Sequence, residues 1–251
     1  MKNFKEAQIG IYPRRNPLMA FVEETAVRYD PNPAHNKQVT LLAMALFDGL
    51  RPLHEYGPGE RRLLHIAARL HDIGKSRVVS GDHHKRSRDM IMEFNIPELK
   101  EEEQLACSLI ARYHTKALPN PSHHRQFASL NSDRQNLVEW LAGVLRVADG
   151  LDCAHSGVVG RLECEIEPGA IKVRLKATDE CRRQVDRARQ KQELLVQKAG
   201  RPIQYLCGSR SFRRYSEDGE YESFRKSSWP SQIPFFPMRN PSTRLKEVFR
   251  T

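Results

Sequence analysis

The sequence has no run of about 18 uncharged apolar residues, which excludes a membrane-spanning helix of the usual kind. Its opening residues, MKNFKEAQIGIYPRR, hold no apolar core of the type a secretory signal needs, so none is expected. Cysteine is sparse: Cys107, Cys153, Cys164, Cys181 and Cys207, with no C-x-x-C pair. That pattern offers neither a zinc knuckle nor a redox dithiol, and the chain reads as a reduced, cytoplasmic protein. No glycine-rich phosphate loop and no internal repeat are present.

Charge, by contrast, is abundant. The 251 residues carry 41 Lys+Arg against 31 Asp+Glu, a formal net charge of +10. A positive field gathers anions, so phosphorylated ligands and polyphosphate are natural partners; a plain solvated basic surface is the alternative. Apolar residues make up 39% and fall in periodic runs, which excludes wholesale disorder. The length suits one large domain or two small ones.

Residues 1–17 read as an irregular segment punctuated by Pro13 and Pro17. A short helix is expected over Leu18–Tyr29. Asn32 caps a second helix, with Pro33 in its first turn and Val39, Leu42, Leu46 and Leu50 on one stripe. Further helices are expected over 60–72, 85–94, 98–114 and 133–151. After residue 160 the period changes to two: Leu162, Cys164 and Ile166, then Pro168-Gly169, then Ile171, Val173 and Leu175 form a hairpin. A charged helix over 180–199 and a third strand over 202–206 follow. The expected fold is mainly α, with a helical metal-binding domain over 18–157 and a small α+β element over 158–207. Residues 208–251 lack periodicity and read as a basic tail.

Histidine and aspartate fall on the inward stripes of this pattern. His35 shares a face with Val39, Leu42 and Leu46; His71 follows Leu64, Ala67 and Ala68; His114 follows Ile110; Asp149 follows Leu145. Asp72 stands beside His71. Taken singly, each has a structural reading as a satisfied core histidine, a cap or an ion pair. Together they send imidazole and carboxylate from separate helices into one interior, where an unpaired carboxylate is costly. A divalent cation removes that cost. Nitrogen and oxygen donors without thiolate suit Mn, Fe, Co, Ni or Zn, with Mg also compatible.

These residues resemble the HD superfamily of metal-dependent phosphohydrolases, whose pattern is His…His-Asp…Asp on an all-α core. More narrowly, Arg69–Lys75, His83-His84-Lys85 with Ser87, Ala111–Pro119 and Leu145–Asp152 are similar to the C-terminal HD region of the exopolyphosphatase/guanosine-pentaphosphatase family. The resemblance covers roughly residues 18–206. It implies His35, His71, Asp72 and Asp149 as metal ligands, one or two ions per chain, and His114 with His83 or His84 as further ligands. It implies Asp72 and Lys75 as catalytic groups. Lys75, Arg112, Lys116 and Arg146 surround the site as candidate phosphate contacts.

Members of that family normally carry an actin-like ATPase-type domain pair ahead of the HD region, and none is present here. Leu151-Asp152-Cys153 stands where relatives often read Leu-Asp-Arg, and Arg86 where they often carry a histidine. The expectation is a phosphohydrolase acting on polyphosphate, a guanosine polyphosphate or a nucleotide, rather than a complete exopolyphosphatase. The alternative is a non-catalytic polyphosphate- or nucleotide-binding module that docks on a separate exopolyphosphatase-type domain. Neither nucleic acid nor membrane is expected as a partner.

Overall fold

A computed structural model describes residues 16–78 and 81–209. Helix α1 (Pro17–Tyr29) packs on α3 (Pro58–Leu70), and α2 (Pro33–His54) lies between α3 and α7 (Ser132–Leu151). A 3-10 turn (Ile73–Ser76) leads to α4 (His83–Glu93), which packs on α5 (Glu101–Arg112). The side chain of Asn32 accepts from the His35 N–H, so the expected cap of α2 is present. The stripe Val39, Leu42, Leu46, Leu50 is buried, as are Leu63, Leu64 and Ala67 of α3. Burying each such aliphatic side chain stabilises by roughly 1.5–3 kcal/mol. A four-residue helix, α6 (Arg125–Ala128), was not expected from the sequence; it is too short to show a period.

The hairpin is present: β1 (Val159–Ile166) pairs antiparallel with β2 (Ile171–Ala177), with Ile166 opposite Ile171. Strand β3 (Ile203–Ser209) lies parallel to β2, giving the order β1-β2-β3. A parallel partner needs a crossover, and helices supply it. The crossover is two helices, α8 (Arg182–Lys191) and α9 (Glu193–Ala199), where one helix over 180–199 was expected. The break falls at Gln192, beside the Lys191 carbonyl, which accepts from Arg146 Nε at 3.4 Å. The helix expected over 98–114 is likewise shorter. Glu98 has φ +58°, outside the right-handed helical region, and the chain leaves the helix after Arg112.

Two glycines set the spacing that the site depends on. A Cβ on Gly150 of α7 would lie 2.8 Å from the Ala188 Cα of α8, so glycine lets those two backbones meet. A Cβ on Gly74 would lie 2.2 Å from the His83 carbonyl oxygen, so glycine lets the 3-10 turn touch α4. The parallel placement of β3 also brings Cys207 beside Cys181 at the start of α8, with Cα atoms 6.4 Å apart, and the two form a disulfide. Cys107, Cys153 and Cys164 are free. No helix among the described residues is long and apolar enough to cross a membrane. The expected irregular segment at residues 1–17 and the basic tail at 208–251 lie largely outside the described residues.

Candidate metal centre

The candidate ligands sit at helix ends. His35 is in the first turn of α2, His71 and Asp72 follow α3, and His83 opens α4. His114 lies two residues past α5, and Asp149 is in the last turn of α7. Helix ends can converge on one point without their backbones clashing, which side chains from mid-helix cannot do as freely. Asn36 Nδ2 donates to the Arg69 carbonyl at 2.8 Å and ties α2 to α3 just ahead of His71.

Asp72 occupies the middle. Its Oδ2 lies 3.4 Å from His71 Nε2 and 3.8 Å from His35 Nε2. Its Oδ1 lies 3.5 Å from His83 Nε2 and 3.7 Å from His114 Nε2. Asp149 Oδ1 faces His35 Nε2 at 3.3 Å and His71 Nε2 at 4.0 Å. Two overlapping groups of ligand atoms each lie within 4.8 Å: His35, His71 and Asp149, and then His71, Asp72 and His114.

The outer hydrogen bonds orient the rings. His71 Nδ1 donates to the Ala68 carbonyl at 2.7 Å, and His114 Nδ1 donates to the Ala111 carbonyl at 2.6 Å. A carbonyl can only accept, so each neutral ring carries its lone pair on Nε2, facing the cluster. His35 Nδ1 bonds Asp152 Oδ2 at 2.8 Å. His35 Nε2, His71 Nε2 and Asp72 Oδ1 are buried with no hydrogen-bond partner.

Charge follows from these contacts. Burial would raise the carboxyls of Asp72 and Asp149. His71, His114 and Lys75 around the first, and Lys191 and His35 around the second, outweigh it and hold both well below the usual carboxylate range. Burial would lower His35, yet Asp149 and Asp152 carry it up to about 9. His114, buried and beside His71, is pushed well below its ordinary value.

Of the histidine doublet, His83 faces Asp72. His84 turns into the protein, 3% exposed, and burial pushes it down to about 4. The candidate phosphate contacts separate. Lys75 Nζ pairs with Asp72 Oδ2 at 2.5 Å and is part of the cluster. Lys116 is exposed on the rim, 3.6 Å from Asp82. Arg112 lies over the Tyr113 ring at 5.6 Å. Arg146 requires a correction: it is buried, and its guanidinium donates to the carbonyls of Tyr113, Lys116 and Lys191. Through Nε and Nη1 it braces the chain behind the site.

Three groups were not singled out from the sequence. Lys191 of α8, itself buried, is ion-paired with Asp149 Oδ2. Asp152 anchors His35; its position three residues after Asp149 was the available signal. His155, at φ +55°, stacks on the His35 ring with centroids 3.9 Å apart and accepts from Asn32 Nδ2 at 2.8 Å. Nothing in its local sequence marks it.

A family model, Ppx/GppA phosphatase domain III, matches residues 19–194. The chain belongs to the Ppx/GppA phosphatase family. The match takes in every ligand candidate and the hairpin, and it ends inside α9. No curated protein matches the chain.

Proposed function

We propose that the chain is a metal-dependent phosphohydrolase that cleaves a phosphoester or phosphoanhydride of polyphosphate, a guanosine polyphosphate or a nucleotide. One observation carries the reading: His35 Nε2, His71 Nε2 and Asp72 Oδ1 are buried and unpartnered around one point. Leaving a buried polar group unmatched costs about 1–3 kcal/mol, and a cation bound there removes the cost. In this reading His35, His71, Asp72 and Asp149 hold one ion, and Asp72, His83 and His114 hold a second. The donor set fits Mn, Fe, Co, Ni or Zn, and Mg if it keeps several waters.

A bound cation supplies Lewis acidity and water acidified toward neutrality. The rest falls to the protein's own groups. Asp152 and the carbonyls of Ala68 and Ala111 hold the rings so that Nε2 faces inward. Lys75, with its side chain 31% exposed, brings an ammonium to the mouth of the cluster to pair with a phosphate oxygen. Lys116 on the rim adds a second cation for substrate binding.

Elemental analysis of protein expressed in metal-replete medium tests the reading, with phosphate release measured on tripolyphosphate, guanosine polyphosphates and nucleotides. One or two ions per chain together with turnover support it. Absence of metal after reconstitution with each of Mn, Fe, Co, Ni, Zn and Mg refutes it.

A second reading rests on a different observation. Asp72 and Asp149 already carry ammonium partners, Lys75 and Lys191, so both carboxylates are neutralised by the chain itself. That suits a non-catalytic polyanion-binding module that docks on a separate exopolyphosphatase-type domain. The same elemental analysis decides between the two.

A further inference from the structure

His155 stands out in two respects. It is exposed, so burial does not set its place, and it holds φ +55°, a left-handed conformation that strains a non-glycine backbone. Strain of that kind persists only where the surroundings enforce it. Here three contacts do so. The His155 N–H donates to the Asp152 carbonyl at 2.8 Å, and its Nδ1 accepts from Asn32 Nδ2 at 2.8 Å. Its ring lies on the His35 ring, with centroids 3.9 Å apart and planes 21° from parallel. His35 itself is only 1% exposed, so on this face the His155 ring is the layer between it and solvent.

The two residues that hold His155 also hold His35. Asp152 Oδ2 bonds His35 Nδ1 at 2.8 Å, and Asp152 Oδ1 accepts from the Gly157 N–H at 2.9 Å. One residue therefore anchors the His35 ring and ties down the loop that crosses it. Asn32 Oδ1 accepts from the His35 N–H at 3.3 Å, and the Asn32 N–H donates to Asp30 Oδ1 at 2.9 Å. These bonds fix the edge of the His35 ring and its backbone, and they leave one freedom. A hydrogen bond at Nδ1 tolerates a range of angles, and rotation about the Cβ–Cγ bond of histidine is soft, so the ring can still tilt. Tilt would swing Nε2 off its present line toward Asp149 Oδ1, at 3.3 Å, and Asp72 Oδ2, at 3.8 Å. A second ring laid on the face blocks that motion.

We infer that His155 is a positioning residue: its ring caps the face of His35, holds Nε2 toward Asp149 and Asp72, and slows the escape of a cation bound there. The inference rests on the proposed reading of the centre as a metal site, and not on turnover. The role belongs to the flat face of the ring. Another aromatic ring can therefore replace it, whereas a residue that shares only its backbone preference cannot.

The test uses the full-length protein with Co2+ as the probe. Affinity is read by competition with a chromophoric chelator, ligand geometry by the visible absorption of bound Co2+, and escape by the rate of transfer to excess chelator. His155→Gly removes the ring at a backbone angle that glycine adopts freely, so the loop keeps its path. This variant is expected to bind Co2+ at least about tenfold more weakly, with faster transfer and an altered spectrum. His155→Phe restores a ring without nitrogen and is expected to bring the affinity back to within about threefold of wild type. His155→Asn tolerates the left-handed angle but has no ring, and it is expected to follow the glycine variant. A glycine variant with wild-type affinity and spectrum overturns the inference, and so does a phenylalanine variant no better than glycine. A wild type that takes up no Co2+ overturns it too, and the phosphohydrolase reading is then decided by the other ions. His155-dependent Co2+ binding without phosphate release from any of the substrates refutes the phosphohydrolase and leaves the cap standing.

Discussion

Replacing Gly74 by alanine tests whether the centre depends on the contact between the 3-10 turn and α4. The new Cβ would lie 2.2 Å from the His83 carbonyl oxygen and 2.5 Å from the Ser87 backbone nitrogen. Both are main-chain atoms, so no rotamer change relieves the clash and the two segments must separate. Separation breaks the bond from the Gly74 N–H to Ser87 Oγ, 2.9 Å long and buried. It also shifts His83, which stands 3.5 Å from Asp72. Overpacking of this kind costs about 1–3 kcal/mol. The lost hydrogen bond adds about 0.5–1.5 kcal/mol, giving about 1.5–4.5 kcal/mol in all. Denaturant unfolding of metal-free protein reads this as a lower midpoint at unchanged slope. Gly59→Ala is the control: nothing lies within 4 Å of its Cβ, and it sits in the first turn of α3. Helix propensity makes that change neutral or stabilising by up to about 1 kcal/mol. A Gly74→Ala protein within about 0.5 kcal/mol of wild type refutes the argument from close approach.

Asp72→Asn keeps the shape but removes the charge that the proposed reading shares between two ions. Even the outer partners of metal ligands are worth about 10- to 100-fold in affinity or activity. Elemental analysis and turnover are therefore expected to fall by more than about a hundredfold, and a variant with wild-type values removes Asp72 from the site. Arg146→Ala leaves the carbonyls of Tyr113, Lys116 and Lys191 without their donor, a loss of about 2–4 kcal/mol in unfolding free energy. Burial lowers His54 below its ordinary 6.5, and its Nδ1 accepts from the Tyr56 N–H. The unfolded chain thus binds the extra proton more readily, so this contribution to stability is present above pH 6.5 and is lost as pH falls below it. The thermal midpoint is expected to drop between pH 7 and 5, and to drop less steeply in His54→Gln.

The helices of the core were legible because their apolar residues keep a period of 3.6 over two or more turns, as from Val39 to Leu50. The hairpin was legible because Ile171, Val173 and Leu175 alternate with charge. His35, His71, His114 and Asp149 were legible because each extends an apolar stripe that has to face inward, and Asp72 because it stands beside His71; the structure brings all five together. Lys191 was not: it lies in a helix so rich in charge that no stripe distinguishes one cation from the next. Arg146 misled for a related reason. A cation three residues before an inward aspartate looks like part of the rim, and only the packing of α7 against α8 shows it turned toward backbone carbonyls. The doublet His83-His84 was left open because the start of a helix fixes its phase poorly. In the fold it is His83 that stands 3.5 Å from Asp72, while His84 is buried.

The bond between His35 and Asp152 joins residues 117 apart in the chain. The centre is therefore a long-range structure, and its formation is a late event in the making of the protein. During synthesis His35, His71 and Asp72 leave the ribosome well before Asp149 and Asp152 exist. An emerging chain can form α1 to α4 from near neighbours, but the pocket that would select a cation closes only when α7 and then α8 arrive. Until that point the set of His35, His71, Asp72 and Asp149 lacks its second carboxylate, and His35 lacks its Asp152 anchor. Any discrimination between ions is thus a property of the finished fold, acquired after most of the chain has been made.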